Sequence, residues 1–286
     1  MEIAREVNPK LFILLPVHNR KNTTARFIDC LTAQTYQDYY LLLIDDGSTD
    51  GTAEMVQSRI RHLTIIEGNG SWWWAGSLQQ GYSWLRSNKI GGDDVVLIMN
   101  DDTTFGKDFL AIGVRILNQH CNALLGAQAY SLQDQRLIDS GVHVDWEHFS
   151  FMQAKSPEEI NCLSTRGLFL YVNDFLKIGG FFPIFLPHYA SDYEFTMRAH
   201  HKGMKLITDP SLRLNEDENT TGQRIFESKS TTTHIKEVFA KGSVRNPVYA
   251  TNFILLACPW RWKAKNIFRI WYGIFNGGVK RMLKHR

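Results

Sequence analysis

The sequence has no apolar run long enough to span a bilayer, no CxxC pair, no Cys/His cluster, no phosphate-binding Walker loop and, after Glu237, no acidic residue. Each absence removes a class of protein. The four cysteines, Cys30, Cys121, Cys162 and Cys258, are too scattered to mark a zinc site or a disulfide framework, and their use fits a reducing compartment. Gly68-Asn69-Gly70 lacks the further glycine that would complete a dinucleotide fingerprint. Met1-Glu2-Ile3-Ala4-Arg5-Glu6 is charged where a signal peptide is apolar, so a cytoplasmic protein is expected.

The missing acids expose an asymmetry. Ten Lys and Arg follow Glu237, which leaves 22 basic residues against 29 acidic ones before it, a charge of about −7. A body so acidic does not suit a nucleic-acid partner. The hydrophobic share of 44% and charged share of 21% are those of an ordinary packed protein. Between Ala264 and Lys284, Ile267, Phe268, Trp271, Ile274, Phe275, Val279, Met282 and Leu283 recur at helical spacing, with Lys265, Arg269, Lys280, Arg281 and Lys284 elsewhere. This predicts an amphipathic helix broken at Gly277-Gly278, with an anionic membrane surface as its partner. A helix docked on the body or on a second subunit is the alternative. The expected division is a catalytic-sized domain over 1–240 and a basic tail over 241–286.

The first half alternates apolar runs with helical patterns. Leu11 to Leu15 and Tyr40 to Ile44 read as fully buried strands, with a helix over Thr23 to Gln34 between them. Ser48-Thr49-Asp50 then offers helix-capping side chains. Further strands are expected at Leu63 to Glu67, Val95 to Met99 and Leu124 to Ala129, separated by helices around Ser77 to Arg86 and Lys107 to Asn118. The predicted fold is α/β, a mostly parallel sheet with helices on both faces. Ligands of such sheets lie beyond the carboxyl ends of the strands, which directs attention to Asp45-Asp46 and Asn100-Asp101-Asp102. Thr220 to Ser243 is polar and reads as a loop or flap.

Two carboxylates at the end of a buried strand repel unless donors or a cation compensate. A hard ion such as Mg2+ or Mn2+ shared with phosphate oxygens is the simplest cation at Asp102. Ionised Asp46 can only accept hydrogen bonds, as from a nucleobase N–H. Three consecutive tryptophans, Trp72-Trp73-Trp74, cannot all face one core, so one or two pack and another, Trp73 or Trp74, faces sugar or base. His188 and His234 are within the range of metal-ligand types, although a lone histidine is more often structural. His234 is carried as a further ligand.

Taken together, Pro16-Val17-His18-Asn19, Asp45-Asp46-Gly47-Ser48-Thr49-Asp50-Gly51-Thr52 and Asn100-Asp101-Asp102 resemble the family 2 glycosyltransferases of the GT-A fold, over roughly residues 10 to 210. The likeness extends to bacterial rhamnosyltransferase-like enzymes of polysaccharide and O-antigen synthesis. It implies a nucleotide site drawn from Pro16, His18, Asn19, Asp46, Gly76, Gln80 and Asp101, with Asp46 on the base, Asp101 on the ribose and Asp102 on the metal. Ser191-Asp192-Tyr193-Glu194-Phe195-Thr196-Met197-Arg198 matches the family's next element, with Ser191 where a glutamate is usual. The resemblance makes Asp192 the catalytic base, with Tyr193 and Glu194 as acceptor contacts. A plain N-cap role for Asp192 is the structural alternative. Gln79-Gln80-Gly81 stands where the family has Arg-Asn-x-Gly.

The function so implied is inverting transfer of a hexose or deoxyhexose, rhamnose being the leading expectation, from a nucleoside-diphosphate sugar. The acceptor would be a glycan or lipid-linked glycan at the inner face of the plasma membrane. A sugar nucleotidyltransferase and a non-catalytic glycan-binding protein are the alternatives.

Overall fold

In the computed structural model, residues 9–219 and 236–284 are described, with side chains through residue 276. The first strand sets the pattern. All seven residues of β1 (Leu11–Val17) are buried. Successive side chains of a strand point to opposite faces, so Leu11, Ile13, Leu15 and Val17 enter one core while Phe12 and Leu14 enter the other. A strand buried on both faces has no place for polar alternation, which is why it reads as one apolar run.

β2 (Tyr39–Asp45) and β4 (Val95–Ile98) both pair with β1 in parallel, with Leu11 opposite Tyr39 on one side and Val95 on the other. β3 (Leu63–Glu67) extends the sheet beyond β2. The full order is β3-β2-β1-β4-β10-β6-β11-β5, where β5 is Thr103–Phe105, β6 Ala123–Ser131, β10 Leu168–Tyr171 and β11 Lys205–Glu216. β10 runs antiparallel to both β4 and β6, whereas β6 and β11 are parallel. β7 (Leu137–Asp139) pairs with β6, and β8 (Val142–Asp145) with β9 (Ser150–Gln153) forms a separate hairpin. The expected mostly parallel sheet is therefore interrupted by the insertion of antiparallel β10, and β5 and β7 also pair antiparallel with β11 and β6.

That insertion shapes the site. Only residues 99–102 separate β4 from β5, yet three strands lie between them in the sheet. Five Cα steps reach at most about 17 Å, while four strand spacings in a flat sheet need about 19 Å. The sheet must curl, and Asp101-Asp102 lies at the point where it closes.

Helices α1 (Lys21–Thr32) and α4 (Phe109–Leu117) cover one face through Phe27, Ile28, Leu31, Leu110 and Val114. The other face is covered by α3 (Trp73–Ser87), α5 (Val172–Ile178) and α6 (Ser191–His201) through Leu78, Leu85, Phe175 and Phe195. Each fully buried leucine or phenylalanine contributes about 2 kcal/mol to this packing. Gly81 lets α3 approach the sheet, because a Cβ there would lie 2.8 Å from Leu14 and 2.9 Å from Ile44. The short helix α2 (Thr52–Gln57) starts after Gly51 in a left-handed conformation, and of the expected Ser48-Thr49-Asp50 it is Asp50 whose side chain accepts from the first helical amide, that of Thr52, at 3.1 Å.

The tail is attached to the body. α7 (Pro247–Ala257) buries Phe253 and Ala257 in a third cluster with Val142, Leu186 and Met197, against which Tyr193 also packs. α8 (Trp260–Lys284) starts four residues before the expected point and runs on through Gly277-Gly278 without a break. Its Asn266 is fully buried and donates to the carbonyl of Trp146, while Trp271 Nε1 donates to Thr251. Trp260, Phe268 and Phe275 remain exposed, at 87%, 68% and 70%. No helix of the described residues is long and apolar enough to cross a membrane.

Candidate active site

The carboxyl ends of β1, β2 and β4 bring together Pro16, His18, Asn19, Asp46, Asp101 and Asp102. Pro16 lies inside β1, within the sheet. His18 Nδ1 is 2.6 Å from the Asp46 carbonyl, and Asn19 accepts from the Thr49 amide at 2.8 Å, so these two residues tie the β1 and β2 loops together.

Asp46 is placed differently from the expected nucleobase contact. Its Oδ1 accepts from the Gly70 amide at 2.8 Å, and its Oδ2 accepts from the amides of Trp72 and Trp73 at 2.9 and 3.0 Å. The carboxylate thus clamps the start of α3, where unpaired amides and the helix dipole favour negative charge. Gly47 and Gly70 allow this approach: a Cβ on Gly47 would lie 2.8 Å from the Gly70 nitrogen, and both have positive φ. Gly76 is buried behind Trp72, and Gln80 is partly exposed on α3. Its neighbour Gln79 accepts from the Phe181 amide at 2.7 Å and holds the loop ahead of α6.

The tryptophans divide as their number requires. Trp72 and Trp74, both partly buried, pack against the core on the α3 side of the sheet, which leaves Trp73 as the one outside it. Trp73 belongs to no core cluster. Its φ is +60°, the edge of its ring meets His188 at 5.7 Å, and Lys241 Nζ lies 5.5 Å from the indole. His188 Nδ1 is buried and has no hydrogen-bond partner among the described residues, and burial lowers its pKa, favouring neutral imidazole.

Asp101 and Asp102 are 5% and 7% exposed. Thr24 Oγ1 donates to Asp101 Oδ2 at 2.9 Å, and Arg20 spans both residues, with Nε 3.1 Å from Asp101 Oδ2 and Nη2 3.2 Å from Asp102 Oδ2. Burial, partly offset by Arg20 and reinforced by Asp102, pushes the Asp101 pKa up to about 6. Asp102 Oδ1 is buried with no hydrogen-bond partner among the described residues. An orphaned carboxylate oxygen costs stability unless something occupies it, so the donor chemistry here fits a hard divalent cation. Among the described residues no group of three His, Cys, Asp or Glu side chains converges to hold a metal. Asp102 is therefore the ligand these residues offer, and His234 lies outside the described residues.

Asp192 belongs to the first turn of α6 and is not its cap. Ala190, in a left-handed conformation, occupies the cap position, and Ser191 Oγ donates to the His188 carbonyl at 2.6 Å. Asp192 Oδ1 accepts from the Tyr193 amide at 2.9 Å. The residue keeps some solvent exposure, yet its carboxylate is densely surrounded, and burial pushes its pKa up to about 6. Arg166 opposes that shift and Asp139 adds to it. A carboxylate raised in this way while still partly reachable is suited to take a proton near neutral pH.

Two neighbours differ from expectation. Glu194 is 3% exposed, and its carboxylate is bound by Arg198 at 2.8 and 3.0 Å, which itself donates to the carbonyls of Ile178 and Gly180. It holds α6 to the preceding loop and leaves no carboxylate for an acceptor. Tyr193 stacks on Phe151, with ring centres 5.7 Å apart, and presents its ring to the hairpin β8–β9 and α7. Residues the sequence reading missed, Arg20, Thr24 and Arg166, act through partners far along the chain. Arg166 pairs with Glu216 at the end of β11, and the adjacent Asp217 amide donates to the Asp102 carbonyl at 3.1 Å. Arg166, whose charge lowers the Asp192 pKa, is thus held at the strand end beside Asp102.

A curled sheet of this strand order, with an Asp-Asp pair at the closing point and a carboxylate in the first turn of α6, defines the GT-A fold. The model for "Glycosyl transferase family 2" matches residues 12–176, more than half of the chain, and the chain belongs to that family. An "Uncharacterized glycosyltransferase" of Rickettsia felis is 26% identical over 160 residues, covering 52% of this chain and 23% of that protein. The chain therefore corresponds to about a quarter of that relative's length. A mannosyltransferase from Pyrobaculum calidifontis, solved with GDP-Man and Mn2+, superposes with a TM-score of 0.55 at 16% identity, over 98% of this chain and 80% of that one. GalNAc-T7, solved with UDP, GalNAc and Mn2+, gives 0.61 at 14% identity, over 90% and 54%. At these identities the likeness is one of fold.

Proposed function

We propose that the protein is a metal-dependent, inverting glycosyltransferase that moves a hexose or deoxyhexose from a nucleoside-diphosphate sugar to a glycan or lipid-linked glycan. The observation that carries this reading is a pair of carboxylates in different states: Asp192, whose pKa burial raises to about 6, and Asp102, whose Oδ1 is buried with no hydrogen-bond partner among the described residues. Both solved neighbours named above hold a nucleotide or nucleotide sugar with Mn2+, which supports this donor chemistry.

Asp102 would hold Mg2+ or Mn2+, whose charge offsets that of the departing diphosphate. Asp192 accepts the proton of the acceptor hydroxyl as its oxygen bonds to the anomeric carbon. The bond from that carbon to the diphosphate oxygen breaks on the opposite side, which inverts the centre. Trp73 would supply an aromatic face to the sugar, a role its position outside the core supports. Rhamnose is the first sugar to test, on the strength of the sequence resemblance, and cell-surface polysaccharide synthesis is the context that would use it.

The exposed Trp260, Phe268 and Phe275 on a helix with Arg261, Lys263, Lys265 and Arg269 support a peripheral position on an anionic inner membrane face. Incubation with a panel of labelled nucleotide sugars, with Mn2+ and a lipid-linked glycan acceptor, tests the reading. Release of nucleoside diphosphate with a product of inverted anomeric configuration is expected. Pyrophosphate release would make the protein a nucleotidyltransferase, and binding with no release a glycan-binding protein.

A further inference from the structure

Arg20 follows the His18-Asn19 pair immediately and precedes α1, and its guanidinium lies across Asp101 and Asp102 at 3.1 and 3.2 Å. The two carboxylates are almost closed to solvent, while the Arg20 side chain is 31% exposed. Adjacent buried carboxylates repel each other, and a single guanidinium compensates only part of that charge. A divalent cation at the unpartnered Asp102 Oδ1 would share that carboxylate's charge with the guanidinium on Oδ2 and be repelled by it. Cation and arginine therefore compete. A nucleoside diphosphate changes the balance, because its oxygens match the planar fork of a guanidinium and carry more charge than Asp102 alone.

Resting on the reading of Asp102 as the metal ligand, we propose that Arg20 is the resident counter-ion of the Asp101-Asp102 pair and moves to the donor's diphosphate when donor and metal bind. Its partial exposure lets it leave without unpacking a core. The metal alone then binds weakly, since Arg20 on Oδ2 neutralises and repels at the carboxylate whose Oδ1 would hold it, whereas the diphosphate gives Arg20 a new partner and releases Asp102 Oδ2. The coupling is reciprocal, so each ligand tightens the other to the same degree.

The test measures Mn2+ binding alone, and binding of UDP, GDP and dTDP at saturating Mn2+, by calorimetry on wild type, Arg20→Gln and Arg20→Lys, with melting temperature as the folding control. Arg20→Gln should bind Mn2+ alone about tenfold more tightly and the preferred diphosphate about tenfold more weakly, as removal of one charge-assisted contact from each state implies. Arg20→Lys should fall between, and it decides the matter if Arg20→Gln melts much lower than wild type. Unaided Mn2+ affinity that fails to rise, or diphosphate affinity that fails to fall, overturns the role of Arg20 and leaves the metal site standing. Wild-type protein that binds none of the three diphosphates with Mn2+ overturns instead the reading on which the proposal rests.

Discussion

Two strands that flank β1 end in aspartate pairs, β2 in Asp45-Asp46 and β4, four residues on, in Asp101-Asp102, and the partners of the two pairs are of different kinds. Asp45 and Asp46 are held by backbone amides, from Ser48 and from Gly70, Trp72 and Trp73. Asp101 and Asp102 are held by side chains, Thr24 and Arg20, and Asp102 keeps one oxygen without a partner among the described residues. A backbone amide cannot leave without moving the chain, but a side chain can rotate away. The first pair is built into the fold, and the second is available for exchange. Asp192 stands apart from both pairs: its Oδ1 accepts from the neighbouring Tyr193 amide and burial raises its pKa.

The largest expected effect falls at this carboxylate. Asp192→Asn should lower transfer about 10²–10⁴-fold, the usual range for a general base, with diphosphate affinity unchanged in calorimetry. The pH profile of wild-type kcat/KM should rise through about pH 6 as Asp192 ionises. Stability should show the opposite sign. A carboxyl with a raised folded-state pKa stabilises the fold below the unfolded value near 3.8 and loses that contribution as pH rises through about 6. Asp192→Asn should therefore melt above wild type at pH 7.5 but not at pH 4, by up to about 3 kcal/mol in unfolding free energy. Equal melting at both pH values would deny the burial of the charge.

Next in size is Asp102→Ala, which should abolish the Mn2+ dependence of diphosphate binding while leaving the melting temperature within a few degrees. Asp46→Ala should do the reverse. Three amides at the start of α3 lose their acceptor, so urea unfolding should show a loss of about 3 kcal/mol. A loss under about 1 kcal/mol, accompanied by weaker nucleotide binding, would erase the contrast between the pairs and return Asp46 to the nucleobase. The smallest effect is expected outside the pairs: Trp260→Ser with Phe268→Ser and Phe275→Ser should reduce flotation with anionic vesicles and leave diphosphate binding untouched. Since Asn266 and Trp271 anchor α8 to the body, these exposed positions test the membrane surface more cleanly than truncation would.

The contrast also marks how far the sequence alone could be read. Buried strands announce themselves because residues such as Leu11 to Leu15 have no polar position to alternate with, and the family emerged from three motifs at strand ends. The roles of individual carboxylates were not legible, since they depend on partners 24 to 82 residues away: Gly70 for Asp46, Arg20 for Asp102. Glu194 was misread for a local reason. Position i+4 on a helix places Arg198 against it, and that pairing competes with any acceptor contact. The choice between Trp73 and Trp74 stayed open because a three-residue run gives no phase until the helix start is known, and α3 starts at Trp73.

Three of the non-glycine residues with positive φ stand at the site: Asn19 at 50°, Trp73 at 60° and Ala190 at 62°. Asparagine tolerates that region, but a tryptophan or an alanine there costs about 1 kcal/mol relative to glycine. Random mutagenesis selected only for heat resistance should therefore find Ala190→Gly among its gains. Such a variant would relieve the turn that aims α6, so thermal hardening and catalytic output would be set against each other at a residue that touches no substrate.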